Sequence, residues 1–76
     1  MNSFMIKISQ IDDVYKLVNI LVGFEGDVDL ESGRYIVDGK SILGIFSLDL
    51  RQPVKLTAHD ADKVDELKAA LKDYLV

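Results

Sequence analysis

Residues 38–48 of this chain read DGKSILGIFSL, a polar tetrapeptide followed by an almost uninterrupted apolar run. The apolar residues cover too wide an arc for one buried stripe, so we predict a short helix over residues 41–48 with an exposed apolar shoulder. Ile45 and Leu48 are its predicted core contacts. A short helix cannot bury its whole circumference, so at least one shoulder residue should stay exposed. The shoulder residues are Ile42, Leu43 and Phe46.

Two other segments have the spacing of amphipathic helices. In Ile11–Val22 apolar residues recur every three or four positions, with Leu17 at the margin of the apolar face. Ile20 lies on the polar side, either as a tolerated exposed aliphatic residue or as a contact residue. A similar pattern covers residues 61–75 after Asp60, a favourable N-cap. The predicted buried face of the first helix comprises Ile11, Val14, Tyr15, Val18, Leu21 and Val22.

Four segments alternate between apolar and polar residues, which predicts half-buried strands. They are residues 5–9, 27–31, 34–37 and Val54–Ala58. The pair Ser32-Gly33 between the second and third is typical of a hairpin turn. The element order is β-α-β-β-α-β-α, and every strand has one polar side, unlike parallel strands covered on both faces. We therefore predict an α+β fold: one four-stranded, mainly antiparallel sheet with three helices on one face, as a single domain over residues 1–76.

Composition argues against several classes of function. The chain has no cysteine, which rules out disulfides and thiolate metal sites. The net charge is −4, with nine basic residues scattered among thirteen acids, so neither nucleic acid nor an anionic membrane surface is an expected partner. We find no ligand spacing for a metal and no Gly-rich phosphate loop, and predict no cofactor. The first residues lack the pattern of a signal peptide, and no apolar run approaches a membrane span, which predicts a cytoplasmic protein.

The segment at residues 38–48 resembles the second-helix signature of the histidine-containing phosphocarrier (HPr) family of the bacterial phosphotransferase system. In that signature a Lys-Ser pair is followed by aliphatic residues, a Gly and then Ser-Leu. The element order extends the resemblance over residues 5–75. It implies the open-faced sandwich of HPr proteins, a bacterial phosphocarrier rather than an enzyme, and partner proteins from the phosphotransferase system or its regulation.

One family motif is missing from the chain. HPr proteins carry a Gly-Leu-His-x-Arg-Pro type motif where the first strand meets the first helix, and its His accepts phosphate from enzyme I. Here residues 9–15 read SQIDDVY, without His, Arg or Pro. Asp12 and Asp13 place two carboxylates in the first turn, where they suit the helix dipole and would repel a phosphate. We therefore predict a degenerate family member with no catalytic residue and no phosphohistidine transfer at this junction.

Ser41 has two interpretations. As a residue type it is a common N-cap for the second helix. The resemblance also implies a regulatory role, because a dedicated kinase phosphorylates the matching serine in the HPr proteins of some bacteria. The shoulder residues match the positions at which the family docks partner proteins, with Ile20 as a possible extension across to the first helix. A purely structural role in the core is the alternative for each of them.

His59, the only histidine, lies outside any family motif. It is either a solvated or locally hydrogen-bonded loop residue or a substitute phosphoacceptor. Three functions therefore stay open. The first is a regulatory or protein-binding module, and the second is an active phosphocarrier with an unusual acceptor, His59 or Ser41. The third is an inherited fold with an unrelated binding role.

Overall fold

A computed structural model describes residues 2–76 of the chain. Within this range, strands form a single antiparallel sheet in the order β1-β4-β2-β3. The strands are β1 (Ser3–Ile6), β2 (Val28–Ser32), β3 (Tyr35–Asp38) and β4 (Val54–Ala58). The helices are α1 (Ile11–Val22), α2 (Ile42–Phe46) and α3 (Val64–Ala70), with 3₁₀ turns at Ala61–Lys63 and Lys72–Tyr74. The predicted α+β fold and element order are confirmed.

The core lies between one face of the sheet and the helices. Alternate residues of the central strands, such as Leu30 and Leu56, are fully buried, whereas Lys55 points to the open face. The inward side chains pack in one cluster with residues from all three helices. Ile45 and Leu48 belong to that cluster, as predicted. In the part of the chain described here, no helix is long and apolar enough to cross a membrane.

The first strand begins and ends earlier than the predicted residues 5–9. Its partner β4 begins at Val54, directly after Pro53, so the pair Ile6–Val54 is the last in the ladder. The next backbone N–H, that of Lys7, donates to the Tyr74 carbonyl at 2.8 Å instead. The extent of this strand was therefore set by a segment almost fifty residues away.

The predicted continuous helix over residues 61–75 is also wrong in part. The α-helical section ends at Leu71, whose backbone angles are φ −105° and ψ 19°. The chain then turns back, and Leu75 forms a bridge with Ile6 at the edge of the sheet. A straight α-helix would carry the backbone away from that edge. Before the helix, Asp60 does act as a local cap, since its Oδ1 accepts the Asp62 N–H at 3.1 Å.

The hairpin turn is displaced by one residue. Ser32 pairs with Tyr35, so the two turn residues are Gly33 and Arg34 rather than Ser32 and Gly33. Of these two residues Gly33 has a positive φ, 59°, and Arg34 does not, which matches a type II′ turn with glycine in its first central position. The second helix is shorter than residues 41–48, because Ser41 and Ser47 are its caps.

The buried stripe of α1 is rotated relative to the prediction. Leu17, expected at the margin, is fully buried, whereas Ile11, Tyr15 and Val22 are exposed. The helix carries two overlapping sets of apolar residues at three- and four-residue spacing, and only one can face the sheet. The set that packs on the sheet is Val14, Leu17, Val18 and Leu21.

Candidate functional site

Hydrogen bonds fix the turn that leads into α2. Asp38 Oδ1 accepts the Lys40 N–H at 2.9 Å, and the Gly39 N–H donates to the Val28 carbonyl at 2.7 Å. A Cβ on Gly39 would lie 3.0 Å from that same carbonyl oxygen, so a larger residue would force the two segments apart. Lys40 Nζ donates to the Phe24 carbonyl at 2.9 Å, just past the end of α1. This turn therefore ties α2 to both β2 and α1.

Ser41 is the N-cap of α2. Its Oγ accepts the Gly44 N–H at 3.1 Å, and its carbonyl accepts the Ile45 N–H at 3.0 Å. Gly44 allows this close approach, because a Cβ at that position would lie 3.2 Å from the Val37 Cβ and 3.3 Å from Ser41 Oγ and would displace one of them. The predicted capping role is confirmed, and α2 lies close against β3. Regulatory phosphorylation of Ser41 stays a prediction.

An exposed apolar surface lies where α2 meets the first half of α1. Leu43 is 83% exposed and Phe46 is 40% exposed. The Phe46 ring contacts Tyr15 edge-on, with 6.1 Å between ring centroids and 66° between ring planes. We call Ile11, Tyr15, Leu43 and Phe46 the α1–α2 surface. The prediction that part of the shoulder stays exposed is confirmed, while its role in binding remains a prediction.

The other two predicted contact residues are less accessible. Ile42 and Ile20 are half-buried and pack against the core. Ile20 follows Tyr15 by five residues, or about 140° around a helix, so it lies on a different flank of α1 from the Phe46 contact. The structure thus brings Phe46 together with Tyr15, with Leu43 three residues before Phe46 on α2, and places Ile20 on another flank. The sequence pattern placed Tyr15 in the core, but the buried face of α1 is formed by Val14, Leu17, Val18 and Leu21 without it.

An open cleft of about 410 Å³ adjoins the α1–α2 surface at the start of α1. It is lined by Lys7, Ile8, Ser9, Gln10, Ile11, Phe46, Leu50 and Arg51. Lys7 Nζ donates to the Ile8 and Leu50 carbonyls at 3.0 and 3.2 Å. These two hydrogen bonds join the two walls of the cleft. Arg51 is paired with Asp49 at 3.0 Å, and this hydrogen bond lowers the pKa of the Asp49 carboxyl.

The start of α1 is occupied by its own carboxylates. Gln10 is the N-cap residue, and its N–H donates to Asp13 Oδ2 at 3.2 Å. Asp12 lies in the same first turn. The positive end of the helix dipole is therefore already matched by negative charge from within the chain.

His59 lies at the other end of the sheet. It follows β4, which begins beside Ile6 near the start of α1 and runs roughly 16 Å at the usual rise of a strand. His59 Nε2 lies 2.7 Å from Asp29 Oδ2, and the backbone N–H of His59 donates to the Asp27 carbonyl at 2.9 Å. The hydrogen bond with Asp29, followed by the charge of that carboxylate, raises the pKa of the exposed imidazole. His59 is thus hydrogen-bonded, as one of its two interpretations predicted, and its role as a substitute phosphoacceptor stays a prediction.

Comparison with solved structures identifies a similar protein of known family. No family model matches the chain, and no curated protein does. Among solved structures, the chain is similar to HPr-C-His from Thermoanaerobacter tengcongensis, with a TM-score of 0.80 and 30% sequence identity. The match covers 96% of this chain and 89% of that one. Identity at this level over nearly the full length of both chains, on the same fold, shows that this protein belongs to the HPr family of phosphocarriers.

Proposed function

We propose that this protein is a regulatory, protein-binding member of the HPr family that does not transfer phosphate through a histidine. Its partners are proteins of the phosphotransferase system or of its regulation. The observation that carries the proposal is the α1–α2 surface, with Leu43 and Phe46 exposed beside a helix start that holds carboxylates and no histidine.

The electrostatics of the start of α1 support the absence of phosphohistidine transfer. A phosphoryl group held at a helix start needs free backbone N–H groups and positive potential. Here the Gln10 N–H is bonded to Asp13, and Asp12 adds a second negative charge in the first turn. A phosphate at this position would meet two carboxylates in place of the family's His and Arg.

The exposure of the α1–α2 surface supports protein binding. Leu43 and Phe46 expose a large aliphatic and an aromatic side chain to solvent. Contact of this apolar surface with water is unfavourable, and burial against a partner would remove it. The contact with Tyr15 holds the Phe46 ring in a defined position before any partner arrives. Such preformed apolar anchors lose little conformational freedom on binding.

Incubation with enzyme I and phosphoenolpyruvate tests the absence of transfer. We expect no acid-labile phosphate on the wild-type chain, while an ordinary HPr protein in the same mixture becomes labelled. The variant His59→Ala is the matched control, since it removes the only imidazole. Stoichiometric label that disappears in His59→Ala would contradict the proposal and identify an unusual phosphocarrier.

We further propose that phosphorylation of Ser41 regulates binding at the α1–α2 surface. A phosphate adds close to two negative charges, here two residues before the exposed Leu43, where a partner's apolar group would dock. Ser41→Asp retains a residue type that caps helices well, so it should change partner affinity much more than stability. Ser41→Ala should instead lower the free energy of unfolding by about 1 kcal/mol, through loss of the bond to Gly44, and leave affinity unchanged.

An HPr-specific serine kinase with ATP, followed by mass spectrometry of the peptides, tests whether Ser41 is modified. Denaturation in urea and binding titrations on the two variants then separate regulation from capping. If Ser41 stays unmodified under conditions that fully modify an ordinary HPr protein, it is a structural cap alone.

A further inference from the structure

The free edge of β3 differs from the protected edges of most small sheets. β3 is last in the strand order, and among residues 2–76 only β2 pairs with it. Its first two residues, Tyr35 and Ile36, are 69% and 62% exposed. Edge strands are usually protected by lysine, proline, a bulge or a covering segment. Here two large apolar side chains stand at the edge instead.

The backbone of this edge is ready to pair. Ser32 and Tyr35 close a two-residue turn, so they form a hydrogen-bonded pair of the antiparallel ladder. Because bonding alternates along such a ladder, Tyr35 and Val37 bond to β2. Ile36 therefore directs its N–H and C=O away from the sheet.

The charges along this edge are complementary to those of a second copy that runs in the opposite direction. Residues 34–38 read RYIVD, with a cation at one end, an anion at the other and apolar residues between. In an antiparallel pair of two copies centred on Ile36, Arg34 of each copy, the turn residue directly before β3, comes next to the partner's Asp38. Centring on Ile36 also allows the outward N–H and C=O groups of the two copies to bond to each other.

The charges of the isolated chain favour such a pairing. Asp38 lies directly across the ladder from Asp29, and like charges in that arrangement are destabilising. Asp29 has His59 as a partner, whereas the ion pairs of the described residues include none with Arg34. A guanidinium from a second copy would offset the repulsion at Asp38.

We propose that two copies of this chain associate through antiparallel pairing of their β3 strands about a two-fold axis. The product is a continuous eight-stranded sheet, with Ile36 against the partner's Ile36 on the open face. Strands of four residues bury less area than a standard interface, so the dimer is weak and depends on concentration. The contact leaves out Leu43 and Phe46, and it does not rest on the proposed function.

Dilution from millimolar to micromolar concentration, followed by amide NMR and sedimentation velocity, tests the association. We expect concentration-dependent shifts centred on residues 34–38 and a fall in the mean sedimentation coefficient. Shifts centred on Leu43 and Phe46, or a monomer without concentration dependence at millimolar concentration, would overturn the proposal.

Charge reversal identifies the register. Arg34→Asp alone and Asp38→Arg alone should each raise the dissociation constant about tenfold, because each turns two attractive pairs into repulsive ones. An equal mixture of the two variants should restore association. In the mixed dimer, positions 34 and 38 are both acidic in one chain and both basic in the other, so both pairs are attractive again. Circular dichroism must show that both fold, because Asp38→Arg also loses the bond to the Lys40 N–H. Leu43→Asp is the control and should leave self-association unchanged. If the dissociation constant of the mixture is no lower than that of either variant alone, the proposed register is wrong.

Discussion

Leu17→Ala should lower the free energy of unfolding by about 2–5 kcal/mol, whereas Ile11→Ala should change it by less than about 0.5 kcal/mol. Leu17 is fully buried on the face of α1 that packs against the sheet. Its truncation leaves a cavity that the surrounding core fills only in part. Ile11 is mostly exposed at the start of the same helix. A fold built from these 76 residues has only a small reserve of stability, so the Leu17→Ala variant should be close to unfolding at room temperature.

Urea denaturation followed by circular dichroism measures both changes. The pair is informative because the sequence pattern alone predicts the opposite order, with Ile11 in the core and Leu17 at its margin. Val14→Ala serves as a positive control, since both the pattern and the structure place Val14 in the core. A larger loss for Ile11→Ala than for Leu17→Ala would mean that α1 is rotated about its axis relative to the arrangement described above.

Leu43→Asp and Phe46→Asp should each weaken binding to the protein partner by at least about thirtyfold, which corresponds to about 2 kcal/mol for an interface anchor. Leu43 projects from α2 into solvent, so a charge there costs the free protein little, whereas Phe46→Asp also loses the ring contact with Tyr15. In a complex, the same charge would be buried against an apolar group without a counterion. The measurement is isothermal titration calorimetry with the partner identified by pull-down from the source organism.

Val22→Asp is the matched control for these variants. It places the same charge on an exposed apolar position of α1, outside the α1–α2 surface, and should leave affinity unchanged. Ile20→Ser should have a smaller effect than the α2 variants, because Ile20 lies on another flank of α1 and is half-buried. If Leu43→Asp and Phe46→Asp stay folded and bind normally, partners dock elsewhere on the protein.

Several elements followed from local sequence alone. Val54–Ala58 and Ile11–Val22 were predicted to the residue, because each has a strong period and a clear boundary at Pro53 or Gly23. Ser41 was predicted as a cap from its residue type and its place before an apolar run. The exposure of at least one shoulder residue followed from the short length of α2, which cannot bury all its apolar residues, but not that these residues are Leu43 and Phe46. These features depend on neighbours within about one helical turn or one strand.

The remaining features depend on contacts between segments distant in sequence. The span of β1 is set by where β4 begins, and the break at Leu71 is set by the return of the chain to Ile6. Periodicity predicted the wrong rotation of α1, because two apolar stripes overlap and only packing on the sheet selects between them. That selection left Tyr15 exposed to meet Phe46. Local pattern thus determined the elements and the candidate residues, and tertiary packing decided which of them form one surface.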